Sequence, residues 1–325
     1  MNPELKQRLA KLKPLSGKVD SIIILNLESS PDANFFYFTN SEIHGIFYYD
    51  FSKPRILTSE MEFERAKKSW VKDAEVAKLE QAINKIKGRV GINKKRLSVE
   101  LFQKLDTKTT DISGALEAAR AIKSQYEIKQ LKHACNLTKK IYAKAETEIS
   151  KKLTEHEMKG IVELLINRFG CEPSFSAIVA AGKNSRFPHH KPTNAKLRDP
   201  IVIDFGLRYN GYCSDVTRTI GSDKQEMFEA IIADAESIIA PNMKAKDVDN
   251  FVREKMGREA KFFIHGLGHG IGIEVHENPS ISKNSKDILK AGMMFTIEPG
   301  LYKKEGIRIE NDYLLTEKKL ICLTK

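Results

Sequence analysis

Five residues in the second half of this 325-residue chain could do chemistry together: Asp204, Asp215, His269, Glu298 and Glu310, each in a short strand-like or glycine-rich context. Four carboxylates and one imidazole are more hard ligands than one divalent ion needs, so the set points to a pair of metals.

The two aspartates come first. The runs Ile201-Val202-Ile203-Asp204-Phe205-Gly206 and Tyr212-Cys213-Ser214-Asp215-Val216-Thr217-Arg218-Thr219 flank Asn210-Gly211, the pattern of a β-hairpin. With Asn210 and Gly211 as the loop, Asp204 lies opposite Thr217, and period-two alternation puts Asp204 and Asp215 on one face. Taken alone, two aspartates on a hairpin are more often solvated. Here Asp204 follows three β-branched apolar residues and precedes Phe205, so its strand should be buried on at least one face, where a carboxylate requires a positive partner.

His265 and His269 stand four apart, as in helical zinc motifs, but glycines at 266, 268, 270 and 272 argue against a helix. The histidines, His276 included, are expected on extended backbone that approaches its neighbours closely. Three histidines in one glycine-rich stretch, in a chain with 8 in all, favour a site. Met294 to Glu298 reads as a strand stopped by Pro299-Gly300, leaving Glu298 at its end. In Gly306-Ile307-Arg308-Ile309-Glu310, alternation places Arg308 and Glu310 on one face. A functional edge and a solvated edge both fit that last pattern, and by itself the solvated edge is the commoner.

These segments, Ile-Asp-Phe-Gly, Ser-Asp-Val-Thr-Arg-Thr, Gly-His-Gly-Ile-Gly, Thr-Ile-Glu-Pro-Gly and Arg-Ile-Glu-Asn, occur in an order that resembles the metallopeptidases of the pita-bread fold. Within that family the resemblance is strongest to proline-specific members, Xaa-Pro dipeptidase (prolidase) and aminopeptidase P. It implies that Asp204 chelates one metal, His269 and Glu298 hold the other, and Asp215 and Glu310 bridge the two. It further implies that His189, His265 and His276 orient substrate or stabilise its tetrahedral intermediate. The substrate would be a peptide with proline at the second position, and the assembly a homodimer. The excess of carboxylates favours two Mn(2+) ions, with Co, Fe or Zn as alternatives. Some prolidases carry an arginine just after the His-Glu element; here His276-Glu277-Asn278-Pro279 is followed by Ser280, and Arg308 is expected to grip a dipeptide's carboxylate instead.

Composition fits an intracellular enzyme. At 41% hydrophobic and 30% charged the chain is globular rather than disordered, and its length suits two domains. Cys135, Cys171, Cys213 and Cys322 are widely spaced, which reads as free thiols in a reducing cytoplasm. The net charge of +11 is spread among glutamates without an aromatic-basic platform, so nucleic acid is not expected as a partner. The longest early apolar run, Ile22 to Leu25, is too short to span a bilayer, and no membrane association is expected.

The elements that must position the site fall into two parts, giving an α+β protein. Residues 1–122 read as a mixed α/β domain of the creatinase type, with strands at Ser21 to Leu27, Phe35 to Phe38, Ile43 to Phe51, Ile56 to Thr58 and Arg89 to Ile92, and a charged helix from about Ser59. Residues 123–325 read as the pita-bread catalytic domain with a curved antiparallel sheet. A long helix from about Ser124 to Ile149 opens it, and capping boxes at Thr154/Glu157 and Ser222/Gln225 begin two more. Their core stripes are expected at Ile161, Leu164, Leu165, Phe169 and at Met227, Ile231, Ile238. Two other readings, a hydrolase of a non-peptide C–N bond as in creatinase and a non-catalytic binding protein, are disfavoured by the complete ligand set.

Overall fold

The structure, a computed structural model, describes the backbone of residues 1–325 and every side chain except those of Asn84 and Lys85. The chain separates into two compact units, Met1–Arg120 and Ala121–Lys325.

The first unit is built on a six-stranded mixed sheet. Its spatial order is Ala74–Val76, Pro54–Thr58, Gly45–Tyr49, Ser21–Asn26, Arg89–Ile92 and Lys108–Asp111. The expected strand at Phe35 to Phe38 is instead part of a helix, Ala33–Thr39. The Asp32 side chain accepts the Asn34 N–H and caps that helix, and the turn of backbone buries Phe35, Tyr37 and Phe38 together. Aromatic β-propensity loses here to a good N-cap and a helical burial pattern.

The second unit carries the candidate ligands on short antiparallel strands. One sheet runs Glu277–Ile281, Gly268–Gly270, Met294–Ile297, Asn311–Leu315, Leu320–Cys322. Another sets Ile201–Phe205 between Ile178–Ala181 and Val216–Ile220. The hairpin register is the one the Asn-Gly pair predicts: Tyr209 pairs Tyr212, and Asp204 pairs Thr217. Asn210 and Gly211 both have positive φ, 48° and 81°, as a type I′ loop requires. Between Phe205 and Leu207 the strand breaks at Gly206, where a Cβ would lie 1.9 Å from the Ser214 carbonyl oxygen. Only glycine allows the two arms to come that close, and Asp215 follows directly on that contact.

Helices back these sheets. Gln125–Thr147 and Glu155–Arg168 both start with capping boxes, at Ser124/Glu127 and Thr154/Glu157. Gln225–Ile238 does not: the Ser222 hydroxyl accepts the Lys224 N–H instead, a local turn that competes with the cap. Of the expected core stripes, Ile231 is buried and Ile161, Leu165, Phe169 and Ile238 pack against the core half-buried, but the fully buried positions lie mostly beside them. Met158, Val162 and Ile166 are buried while Leu164 is exposed, and Phe228, Ile231, Ile232 and Ala235 are buried while Met227 is exposed. Complete burial of such aliphatic side chains contributes about 1.5–3 kcal/mol each, which fixes the helices against the sheets that carry the site. Among the described residues no helix is long and apolar enough to cross a membrane.

Candidate metal centre

A cavity of about 520 Å3 opens in the second unit, and all nine sequence-predicted residues line it: Asp204, Asp215, His269, Glu298, Glu310, His189, His265, His276 and Arg308. The solvated-edge alternative for Arg308 and Glu310 does not hold, since they are 5% and 2% exposed.

Asp215, His269 and Glu310 lie close enough that one atom from each falls within 4.8 Å of the others. His269 Nε2 stands 3.5 Å from Glu298 Oε1, 3.8 Å from Asp215 Oδ2 and 4.0 Å from Glu310 Oε1. The ring's other nitrogen, Nδ1, is 3.2 Å from the Gly270 carbonyl oxygen, which can only accept, so Nδ1 carries the proton. Nε2 therefore turns a lone pair towards three carboxylates. Burial pulls the His269 pKa down to about 3, so the ring is neutral. Burial pushes Glu298 up to about 8, and burial with neighbouring carboxylates pushes Asp215 and Glu310 well above the usual range.

Asp204 Oδ1, Asp215 Oδ1 and Glu310 Oε1 are buried without a hydrogen-bond partner. Orphaned carboxylate oxygens around an imidazole lone pair cost several kcal/mol unless a cation satisfies them. The one side-chain cation lining the cavity on this side, Arg308, already binds Asp204 Oδ2. This donor set, oxygen-rich with one imidazole nitrogen, fits divalent metal.

The surroundings orient the donors. The Thr217 hydroxyl donates to Glu310 Oε2 at 2.7 Å and accepts Arg308 Nε at 3.1 Å, linking the two. Arg308 Nη1 also donates to the Tyr302 hydroxyl at 2.9 Å and to the Pro188 carbonyl at 3.3 Å. Four of the guanidinium's five N–H groups are thus engaged. The Asp215 N–H donates to buried Asp312, whose carboxylate also accepts from Cys135 Sγ. His269 N–H donates to the Thr296 hydroxyl at 3.2 Å.

The three remaining histidines differ. His265 has both ring nitrogens committed within the protein, Nδ1 to the Gly266 carbonyl and Nε2 to the Tyr302 hydroxyl, each at 2.8 Å. Burial lowers its pKa to about 4. His276 sits 4.3 Å, ring centre to ring centre, from His269, and burial lowers its pKa too. His189 is exposed at the cavity, on the loop after Pro188.

Tyr302 was not signalled by the sequence motifs. The nearest hint is Gly300, where a Cβ would meet the Tyr302 hydroxyl at 2.5 Å, so the Pro-Gly after Glu298 makes room for that ring as well as ending the strand. Thr217 and Asp312 were likewise missed, although each sits within two residues of a predicted ligand.

Comparison with known proteins agrees with this geometry. Residues 129–317 match the family described as Metallopeptidase family M24. The chain is 33% identical to the Xaa-Pro dipeptidase of Pyrococcus furiosus, across 99% of this chain and 98% of that protein. Its structure resembles the prolidase of Pyrococcus horikoshii, with a TM-score of 0.88 at 29% identity over 100% and 98% of the two chains. It also resembles the X-Pro aminopeptidase of Thermotoga maritima, with a TM-score of 0.86 at 30% identity over 95% and 96%. The antiparallel second unit has the pita-bread fold of these neighbours. A buried nest of metal-seeking donors on that fold, together with a family match covering more than half of its residues, makes this chain a member of metallopeptidase family M24.

Proposed function

We propose that the chain hydrolyses the Xaa-Pro peptide bond, with Xaa-Pro dipeptides as preferred substrates and two divalent ions, Mn(2+) foremost, as cofactors. The observation that carries this reading is the trio of orphaned oxygens on Asp204, Asp215 and Glu310 in the cavity that His269 also lines. Asp204 would hold one ion, His269 and Glu298 the other, and Asp215 and Glu310 would be shared. Ions held there supply Lewis acidity and make hydroxide available near neutral pH.

The chain's own residues do the rest. His276, whose pKa is lowered by desolvation, offers an N–H to the substrate oxygen as negative charge develops on it, and His189 stands at the same cavity to bind that group. His265 acts through Tyr302, holding it against Arg308 rather than touching substrate. A prolyl amide lacks an N–H, so its recognition must come from shape, and Phe175, Ile178 and Val275 give the cavity an apolar wall for the ring. Arg308 keeps one N–H free for the carboxylate of a dipeptide.

A second reading, Xaa-Pro aminopeptidase, has its own support. Ser280 lines the cavity where some prolidases carry an arginine, and most of Arg308 is already engaged. The kcat/KM values for Ala-Pro, Met-Pro and a matched Xaa-Pro-Yaa peptide separate the two. Preference for the dipeptides, lost in Arg308→Lys with metal retained, supports the first reading; preference for the tripeptide replaces it with the second. Residues 1–122 are taken as the creatinase-type domain, the location as cytoplasmic and the assembly as a homodimer on family grounds. Sedimentation as a monomer at micromolar concentration would refute the dimer.

A further inference from the structure

Among the carboxylates that the second unit buries outside the cavity, Glu155 has surroundings unlike those of the metal donors. Glu155, at the first position of the helix Glu155–Arg168, is fully buried, and both of its oxygens are saturated. Oε1 accepts the Ala181 N–H at 2.8 Å and Asn184 Nδ2 at 2.9 Å. Oε2 accepts the Thr193 N–H at 2.9 Å, the Thr193 hydroxyl at 2.7 Å and His190 Nε2 at 2.8 Å. A carboxylate so held needs no metal. The helix's positive end further favours its charge.

All five donors belong to one stretch, residues 181–193, and they bracket it at its start, near its middle and at its end. That stretch leaves the strand Ile178–Ala181, turns through Gly182–Arg186, and brings Pro188 and His189 to the cavity. Much of it is open to solvent: Lys183, Arg186, Phe187 and His189 are exposed. An exposed loop that must present a side chain in a fixed place needs tethers, since ordering backbone costs entropy. Glu155 supplies five. Gly306 N–H to Ser185 Oγ, at 2.7 Å, and Arg308 Nη1 to the Pro188 carbonyl tie the same loop from the metal side.

We infer that Glu155 is a positioning residue for His189: from outside the cavity it sets where that imidazole stands, and so acts on turnover without acting on metal binding. This rests on the reading that His189 contacts substrate. His190, next in sequence and facing the opposite way, is then an anchor rather than a second substrate group.

Glu155→Gln is the informative change. Its amide oxygen can still accept from Ala181 and Asn184, but its NH2 group would face the Thr193 N–H, a donor against a donor, and the later half of the loop should come free. The experiment compares wild type, Glu155→Gln, His189→Ala and the double variant as Mn(2+)-loaded full-length protein. It measures circular dichroism, metal content, kcat and KM on Ala-Pro, and hydrogen exchange. The single Glu155→Gln variant is expected to stay folded and metal-replete, to lose about tenfold or more in kcat, and to exchange faster in residues 182–193. In the His189→Ala background the same change should lower kcat by less than about twofold, because its route to the substrate is already gone.

Wild-type kcat in His189→Ala would overturn the underlying role of His189, and the inference with it. An impaired His189→Ala with Glu155→Gln either harmless or fully multiplicative would overturn the inference alone. Should Glu155→Gln fail to fold, Thr193→Val removes one of the five bonds and carries the same comparison.

Discussion

The charges at the centre have a measurable signature in the metal-free chain. Burial pushes Glu298 up to about 8 from 4.5, and Asp312 up to about 7 from 3.8. The folded state then holds protons that the unfolded chain releases, which contributes stability fully present below the unfolded pKa and lost as pH rises through the folded one. His265 and His269, pulled down to about 4 and about 3 by burial, have the opposite sign: they favour folding above their unfolded 6.5 and lose that contribution as pH falls. From pH 6.5 to 8 only the tail of the histidine slope remains, and the carboxylate slope outweighs it. Metal-free protein should therefore lose stability across that interval, by up to about 1.4 kcal/mol per pH unit for each proton involved. Divalent metal replaces the protons of the ligand carboxylates, so the loaded protein should show a shallower slope, with only that of Asp312 left. Urea melts at the two pH values, with and without Mn(2+), test this. Stability that is flat or rising without metal would mean that the carboxylates are better satisfied than their geometry indicates.

Among the elements, the glycine-rich stretch 266–272 has the most direct role. At Gly268 a Cβ would stand 2.0 Å from the Thr296 carbonyl oxygen, and at Gly270 2.2 Å from that of Asn278. The strand is pressed between its two neighbours by backbone alone, and this contact aims His269. Gly268→Ala should destabilise the protein by about 1–3 kcal/mol and weaken metal binding together, read from urea melts and a metal titration. A stable variant with unchanged metal affinity would show that the strand can yield.

Legibility followed the same division. The ligands and their hairpin register could be read because Asn210-Gly211 sets the pairing and each donor sits in its own local motif. Tyr302, Thr217 and Glu155 could not, because they meet their partners only through the fold. Glu155 lies 26 residues from Ala181 and 38 from Thr193 in sequence. The helix Ala33–Thr39 was misread as strand because its aromatics carry β-propensity while the cap that decides the matter is the single residue Asp32.

For the whole molecule, membership of family M24 settles the reaction type, while the number of ions and their shared ligands remain the central claim. Four carboxylates line one cavity, and Arg308 is already committed to Asp204; that surplus of negative charge is what the proposal of two ions rests on. The most direct measurement is elemental analysis of Mn(2+)-saturated protein, paired with Ala-Pro hydrolysis, for wild type, Asp215→Ala and Glu310→Ala. Two ions per chain in the wild type, with both ions and activity lost in either variant, is the predicted result. A single ion in the active wild type, or an active Asp215→Ala protein, would contradict it.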